Sequence, residues 1–114
     1  SDVYKRQAPT VGNALYAASK GAILSYAKVL GLELASRQIR VNSICPAMVW
    51  TDLTRKDETK TGADYNEVQK SYPLQRYGKP EDIAYLAVYL LSDTSVWMTG
   101  SAIDITGGGE LTLV

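Results

Sequence analysis

The first segment of the chain with a regular hydrophobic pattern has apolar residues at helical spacing. Ile23, Leu24, Ala27, Leu30 and Leu34 recur every three or four positions, which is typical of an amphipathic helix. We predict a helix over residues 14–36. Its first turns carry mostly small side chains, which allow another backbone or a flat ligand to approach closely: Ala14, Ala17, Ala18, Ser19, Gly21, Ala22 and Ser25.

Three further elements follow from the pattern of apolar and polar positions. A β-branched run closed by Pro46 predicts a buried strand over 39–45, with Arg37 and Gln38 as the connection from the helix. Pro80, followed by two acidic residues, predicts a helix start, and the apolar positions after it predict a helix that ends near Ser92. Residues 101–105 read as a second short strand, and three glycines after it predict a tight turn.

The stretch 46–79 is the least regular part of the sequence. It contains two prolines, two glycines and a charged patch at 55–58, and the pattern allows only one short helix, near 64–71. This is long for a connection in a compact domain. Connections of this length usually serve as lids or binding loops.

Alternating helices and strands predict an α/β fold with parallel strands. A parallel sheet of two strands cannot bury both of its faces, because it needs neighbouring strands and covering helices. The residues therefore predict that this chain is part of a domain, or that it borrows strands from another chain.

The candidate chemistry lies at the start of the first helix. Tyr16 and Lys20 are four residues apart, so they face the same side of a helix one turn from each other. A fixed ammonium stabilises a phenolate, and a tyrosine so placed can exchange a proton with a substrate. The spacing by itself is common, so it indicates function only together with its context.

Composition narrows the possible classes of function. The net charge is zero, with 12 basic and 12 acidic residues, so charge favours neither nucleic acid nor an anionic membrane as a partner. The single cysteine, Cys45, cannot form an internal disulfide, which fits a reducing, cytoplasmic location. The sequence has no histidine and no metal-ligand spacing, so we expect no metal site. It also has no apolar run long enough to span a membrane.

Several motifs in the same order and at the same spacing resemble the C-terminal half of a short-chain dehydrogenase/reductase. The resemblance covers residues from about Gly12 to about Gly109. It rests on these segments: Tyr16-Ala-Ala-Ser-Lys20, Leu32-Glu33-Leu34-Ala35, Ile39-Arg40-Val41-Asn42, Pro46, Thr51, Tyr77-Gly78-Lys79-Pro80-Glu81-Asp82-Ile83-Ala84, Thr99-Gly100-Ser101-Ala102-Ile103 and Gly107-Gly108. Within the family the chain is most similar to 3-oxoacyl-carrier-protein reductases and polyol dehydrogenases.

The resemblance implies the C-terminal part of a Rossmann-like doubly wound parallel sheet and a hydride-transfer reaction that uses NAD or NADP. Tyr16 would be the general acid or base, and Lys20 would support it and bind the nicotinamide ribose. Pro46 and Ala47 would border the nicotinamide, although the family usually has glycine where Ala47 stands. The Val49 backbone would meet the carboxamide.

Other implied roles concern the cofactor, the substrate and the subunits. Thr51 would bind the carboxamide or the pyrophosphate, with a helix N-cap as its structural alternative. Residues 47–79 would form the substrate loop, in which Met48, Trp50 and Leu53 line the pocket or simply pack. The substrate would be a small carbonyl or alcohol. The first helix and the last strand would form homo-oligomer interfaces. We expect exposed apolar area at four residues: Tyr26, Leu30, Val88 and Trp97.

Some features of the family are missing from this sequence. The glycine-rich turn that holds the pyrophosphate is absent, so the sequence cannot distinguish NAD from NADP. Val3 occupies the position where the family has its substrate-binding serine. Residues 1–11 match nothing expected there, and we predict that they are a non-native leader to a domain part covering 12–114.

Two alternatives to an enzyme of this type remain open. The chain would act only as an oligomerisation or interaction module if it binds no cofactor. The extended branch of the superfamily, the sugar-nucleotide epimerases, is disfavoured because no separate substrate domain follows Lys20.

Overall fold

The computed structural model describes residues 11–61 and 64–109. The predicted leader therefore lies outside the described residues, apart from Val11. The helices and strands, in chain order, are α1 (Ala14–Leu34), β1 (Ser43–Pro46), α2 (Asp52–Thr61), α3 (Tyr65–Gln69), α4 (Pro80–Leu91) and β2 (Ala102–Ile105), with 3₁₀ turns at Ala35–Arg37 and Asp93–Ser95.

The two strands pair in parallel, which confirms the predicted α/β class. Ser43 lies opposite Ala102, and Pro46 lies opposite Ile105. A parallel pair requires a crossover connection, and α4 lies within the crossover from β1 to β2. The carboxyl ends of both strands meet at one edge, which is where ligands bind in open α/β sheets.

The prediction of a strand over 39–45 was wrong in its bounds, because side chains replace part of the backbone pairing before Ser43 and the strand spans Ser43–Pro46. The Val41 amide donates to Thr99 Oγ1 at 3.1 Å, and the Gly100 amide donates to the Val41 carbonyl at 2.7 Å. Asn42 bridges Met98 and Ser101 with its side-chain amide, at 3.1 Å on each side. Regular pairing therefore begins only at Ser43, and the Asn42 side chain joins the two segments that precede the strands.

The prediction of irregular structure over 46–79 missed α2. Its sequence, DLTRKDETKT, has no apolar periodicity, so the hydrophobic pattern gave no helix signal. Local contacts support the helix, including the ion pair between Asp52 and Arg55 at 3.7 Å. The short helix expected near 64–71 is α3, and Asp64 caps it by accepting hydrogen bonds from the amides of Asn66 and Glu67.

Helix α4 begins as predicted and is held at its far end by Arg40. The guanidinium donates to the carbonyls of Leu90 at 2.8 Å and Ser92 at 3.2 Å, where the helix ends, and to Met98 at 3.1 Å. A cation at a helix C-terminus binds the last carbonyl groups favourably. Ser95 is buried beside them, and its hydroxyl donates to Leu90.

Little of the apolar surface is buried in this chain. Only Leu24 and Gly31 of α1 are buried, and the exposed apolar side chains cover both sides of that helix. Three of the four residues expected to be exposed are so, namely Tyr26, Val88 and Trp97, while Leu30 is half-buried. The described fold thus presents apolar faces of the kind that proteins usually cover.

Gly31 brings α1 close to the segment just before β2, and its replacement tests that packing. A Cβ atom there would lie 3.2 Å from the Gly100 nitrogen and 3.2 Å from Thr99 Oγ1. We expect Gly31→Val to lower the free energy of unfolding by about 1–3 kcal/mol through overpacking, measured by urea denaturation. Ser25→Val, on an exposed part of the same helix, is the control and should change stability little. Equal stability of the two variants would contradict the packing described.

Candidate active site

The first turns of α1 present Tyr16 and Lys20 together on an open face. The Lys20 ammonium lies 5.3 Å from the centroid of the Tyr16 ring, within the range of a cation–π contact. The tyrosine side chain is 63% exposed, and among the hydrogen bonds of the described residues none uses its hydroxyl. A phenol and a cation are therefore adjacent and accessible to a ligand.

The second group of predicted site residues follows the carboxyl end of β1. Pro46 ends the strand, and the Ala47 amide donates to the Ile105 carbonyl at 3.2 Å, which fixes the chain at the sheet edge. Beyond it, Val49 forms an isolated parallel bridge with Gly78. The Gly78 amide donates to Met48 O at 3.0 Å, and the Trp50 amide donates to Gly78 O at 2.9 Å.

This bridge turns the backbone of Val49 away from Gly78. Its carbonyl accepts a hydrogen bond from the Thr54 hydroxyl at 2.8 Å, whereas no hydrogen bond of the described residues uses its amide. The Val49 amide is thus free to donate to a ligand oxygen, such as that of a carboxamide, while the Val49 carbonyl is bound by Thr54.

Thr51 has the geometry of a helix N-cap, which was the structural alternative to a role in ligand binding. Its hydroxyl oxygen accepts from the Thr54 amide at 3.4 Å, at the first turn of α2, and lies 2.9 Å from Thr54 Oγ1. Thr51 is also exposed. The capping role leaves room for a ligand, so the two roles are compatible.

Of the three residues predicted to line a substrate pocket, one packs against another ring and two are exposed. Trp50 stacks on Tyr77, with ring centroids 5.9 Å apart and an interplanar angle of 9°. Tyr72 meets the same ring edge-on at 5.8 Å. Met48 and Leu53 are exposed. Trp50 therefore packs, while the other two predicted pocket residues are available to a ligand.

The two groups of site residues share no hydrogen bond among the described residues, but the topology brings them to the same side. Gly31, near the end of α1, contacts Gly100 just before β2 begins. A helix that leads into a strand of a parallel sheet runs back along that sheet, so we expect the first turns of α1 to lie toward the carboxyl edge, where Pro46 and its loop lie.

An ion pair fixes the segment that carries Gly78. Arg76 Nη1 lies 2.9 Å from Asp82 Oδ2, and the Lys79 amide donates to the same oxygen at 2.7 Å. The hydrogen bond from Arg76 holds the pKa of the Asp82 carboxyl below its ordinary value, and the bond from the Lys79 amide adds to this effect. The pair also raises the pKa of Arg76.

This lowered pKa predicts a pH dependence of stability. Because the folded protein holds Asp82 ionised more strongly than the unfolded chain does, the contribution is complete above the unfolded pKa of about 3.9. It is lost as the pH falls through the lower folded pKa. We expect the stability difference between wild type and Asp82→Asn, followed by urea denaturation, to be constant above pH 5 and to shrink below pH 4. A difference that stays constant down to pH 2 would contradict the pairing.

Thr54, Tyr77 and Gly78 were not predicted as site residues from the sequence. They hold the loop that carries Val49 and Thr51, and Thr54 and Tyr77 are buried. A weak signal existed for Thr54, since a threonine at the start of a helix followed three residues later by another polar residue is typical of a cap. No local signal existed for Tyr77, because its contact with Trp50 crosses the intervening helices.

The site residues fit a nicotinamide dinucleotide better than a metal. The exposed Lys20 ammonium, the unpaired Val49 amide and the Thr51 hydroxyl match ribose hydroxyls and a carboxamide. Within the described ranges, no cluster of three or more histidine, cysteine or acidic residues is placed to hold a metal ion. None of the described helices is long and apolar enough to cross a membrane.

Comparison with known sequences gives a consistent result. Residues 2–110 match the family model described as enoyl-(acyl carrier protein) reductase. The 3-oxoacyl-[acyl-carrier-protein] reductase of Chlamydia trachomatis is 41% identical over 99 residues, which cover 85% of this chain and 38% of that protein. The enzyme of the same name from Bos taurus is 36% identical over 104 residues, or 90% of this chain and 40% of its relative. The chain thus spans about two fifths of the length of these relatives.

Solved structures agree with the sequence match. A short-chain dehydrogenase family protein from Francisella tularensis superposes with a TM-score of 0.80 at 38% identity, over 95% of this chain and 48% of the other. The aldohexose dehydrogenase of Thermoplasma acidophilum gives 0.83 at 30% identity, over 94% and 45%. With the matched family model and the parallel α/β fold, these similarities show that the chain belongs to the short-chain dehydrogenase/reductase family.

Proposed function

We propose that this chain supplies the proton-transfer half of an NAD(P)-dependent oxidoreductase that interconverts a carbonyl and an alcohol. The observation that carries the proposal is the Lys20 ammonium 5.3 Å from the Tyr16 ring on an accessible helix face. The reductases and dehydrogenases to which the chain is similar support the same class of reaction. The glycine-rich turn that would bind the pyrophosphate is not among its residues.

Tyr16 is the proposed proton donor in carbonyl reduction and the proton acceptor in alcohol oxidation. When bound, the nicotinamide supplies or removes the hydride, and the protein contributes orientation and the proton. Lys20 stabilises the negative charge that develops on the tyrosine oxygen as its proton leaves. Its side chain also reaches outward from the helix, where it can donate to the ribose hydroxyls.

The loop after β1 is the proposed nicotinamide site. Pro46 and Ala47 form its floor at the sheet edge, and the Val49 amide donates to the carboxamide oxygen. Thr51 completes the contact from the start of α2. The bridge to Gly78 and the stacking of Trp50 on Tyr77 support this arrangement, because they fasten the loop to the segment that carries Tyr77 and Gly78.

The proposed substrate is a small carbonyl compound or alcohol, and a 3-oxoacyl thioester is the first to test. Relatives named as 3-oxoacyl-[acyl-carrier-protein] reductases support that choice. Residues 47–79 would cover it, with Met48 and Leu53 as contacts. We also propose that the protein works in the cytoplasm. We further propose that it is a homo-oligomer, because α1 and α4 present apolar side chains such as Tyr26 and Val88 to solvent.

The proposal is tested by titrating NADH and NADPH into the purified protein that contains this chain. We expect one of the two to bind, with energy transfer from tryptophan to the reduced nicotinamide. We also expect the bound reduced dinucleotide to be oxidised once acetoacetyl thioester is added. Absence of binding by a protein whose circular dichroism shows it to be folded would contradict the proposal.

That same negative result would favour the second candidate, a non-catalytic interaction module. The extent of exposed apolar surface on α1 is the observation behind it, including Leu15 at 89% and Leu32 at 80% exposure. In that case the chain would self-associate, as measured by analytical ultracentrifugation, without binding either dinucleotide.

A further inference from the structure

Two oxygen atoms and one nitrogen surround the hydroxyl oxygen of Thr54 within hydrogen-bond distance. Thr54 Oγ1 lies 2.8 Å from Val49 O, 3.0 Å from the Thr51 amide nitrogen and 2.9 Å from Thr51 Oγ1. The residue is 8% exposed, so water has little access to it. Each of these contacts therefore needs one donated proton, which comes from a hydroxyl group of Thr51 or Thr54 or from the Thr51 amide.

Counting protons settles the direction of each bond. Val49 O is a carbonyl and can only accept, so the single hydroxyl proton of Thr54 points to it. The Thr51 amide can only donate, and it donates to Thr54 Oγ1. With its proton committed, Thr54 Oγ1 can only accept from the Thr51 hydroxyl. The hydroxyl proton of Thr51 is therefore directed inward, to Thr54.

This order leaves the Thr51 hydroxyl with lone pairs and no proton for a ligand. One lone pair faces the Thr54 amide at 3.4 Å, and the other remains on the exposed side. Thr51 can thus accept a hydrogen bond from a ligand but cannot donate one. A pyrophosphate oxygen is itself only an acceptor at neutral pH, so it is a poor partner for Thr51.

We propose that Thr54 is a positioning residue that makes Thr51 an obligate acceptor, so that the site selects a primary carboxamide through its amino group. The inference rests on the proposed function. The Val49 amide supplies the matching donor for the carboxamide oxygen. Thr54 orders both ends of this contact, because its hydroxyl also binds the Val49 carbonyl.

The test compares a dinucleotide that carries the carboxamide with one in which a carboxylate replaces it. The carboxylate analogue has an oxygen, which only accepts, in place of the amino group. Dissociation constants for NAD(P)⁺ and for its nicotinic acid analogue are measured on wild type, Thr54→Val and Thr54→Ser, in the protein that contains this chain. Thr59→Val, an exposed threonine of the same helix, is the matched control.

We expect wild type to bind the carboxamide about three- to tenfold more tightly than the carboxylate analogue, the worth of one hydrogen bond. In Thr54→Val the hydroxyl proton of Thr51 is released and can be donated to the carboxylate oxygen, so this preference falls. Thr54→Ser retains the hydroxyl and keeps the wild-type preference, as does Thr59→Val. Unfolding midpoints measured on the same samples show whether each variant is folded.

Two results would overturn the inference. Equal affinity of wild type for both dinucleotides would show that Thr51 does not read the amino group, while the proposed function would stand. An unchanged preference in folded Thr54→Val would show that Thr54 does not set the direction of the proton. If wild type binds neither dinucleotide, the proposed function fails, and the inference fails with it.

Discussion

Replacing Tyr16 with phenylalanine is expected to lower kcat for carbonyl reduction by a factor on the order of 10²–10⁴, the usual contribution of a positioned acid or base. Phenylalanine keeps the ring beneath the Lys20 ammonium and removes only the hydroxyl. The affinity for the dinucleotide should therefore change far less than kcat. Steady-state kinetics and a binding titration on the same protein measure the two effects separately.

The control for this variant is Tyr26→Phe. Tyr26 lies on the same helix and is 68% exposed, close to the 63% of Tyr16, so the two changes perturb the helix alike. Retention of kcat in Tyr26→Phe and loss in Tyr16→Phe would assign the effect to the hydroxyl at position 16. A Tyr16→Phe enzyme with the wild-type kcat would remove the basis for the proposed proton transfer.

The largest expected effect on stability is that of Arg40→Met, which should lower the free energy of unfolding by about 2–4 kcal/mol. The guanidinium donates to carbonyl groups at the end of α4 and at Met98, and hydrogen bonds from charged groups are worth about 1.5–3 kcal/mol each, without simple additivity. Methionine fills part of the volume but satisfies none of the carbonyl groups. Urea denaturation measures the loss.

Arg40→Lys and Arg37→Met separate the geometry of this contact from charge alone. A lysine has a single ammonium and cannot span the carbonyl groups that the planar guanidinium reaches, so Arg40→Lys should recover only part of the lost stability. Arg37 is exposed in the turn after α1, and Arg37→Met should change stability little. Full recovery by lysine, or equal effects at the two positions, would contradict the role assigned to Arg40.

The elements with a strong hydrophobic period were predictable from the sequence, and those held by side-chain contacts were not. Helix α4 has both a period and a start signal in Pro80 and Asp82, so it was located closely. Helix α2 has neither an apolar face nor glycine or proline within it, and only local pairs such as Asp52 with Arg55 support it. Its formation depends on contacts that a hydrophobic pattern cannot register.

The start of β1 was predicted too early, also because contacts between distant residues decide it. The run from Ile39 to Asn42 has the composition of a strand, yet Arg40 and Asn42 turn their side chains to distant carbonyl groups. Those partners lie fifty or more residues away along the chain. A local pattern cannot distinguish a β-branched residue that joins a ladder from one beside an arginine that caps another helix.

The residues of the candidate site also differ in whether a local sequence pattern could predict them. Tyr16 and Lys20 were predictable because helical spacing alone brings them together. The loop residues Val49 and Thr51 were identified by resemblance, and their supports, Thr54 and Tyr77, were found only in the structure. Residues that hold a site through long-range contacts carry no local signature, although they decide which groups the site presents to a ligand.

The most direct test of the proposed reaction follows the hydride itself. NADPH and NADH deuterated at the reactive carbon of the nicotinamide are incubated with acetoacetyl thioester and the protein that contains this chain, and the product is examined by mass spectrometry. The proposed function predicts a hydroxyacyl product with one deuterium bound to carbon, formed by wild type and greatly reduced in Tyr16→Phe. A folded wild-type protein that yields no deuterated alcohol from this or any other carbonyl substrate would contradict it.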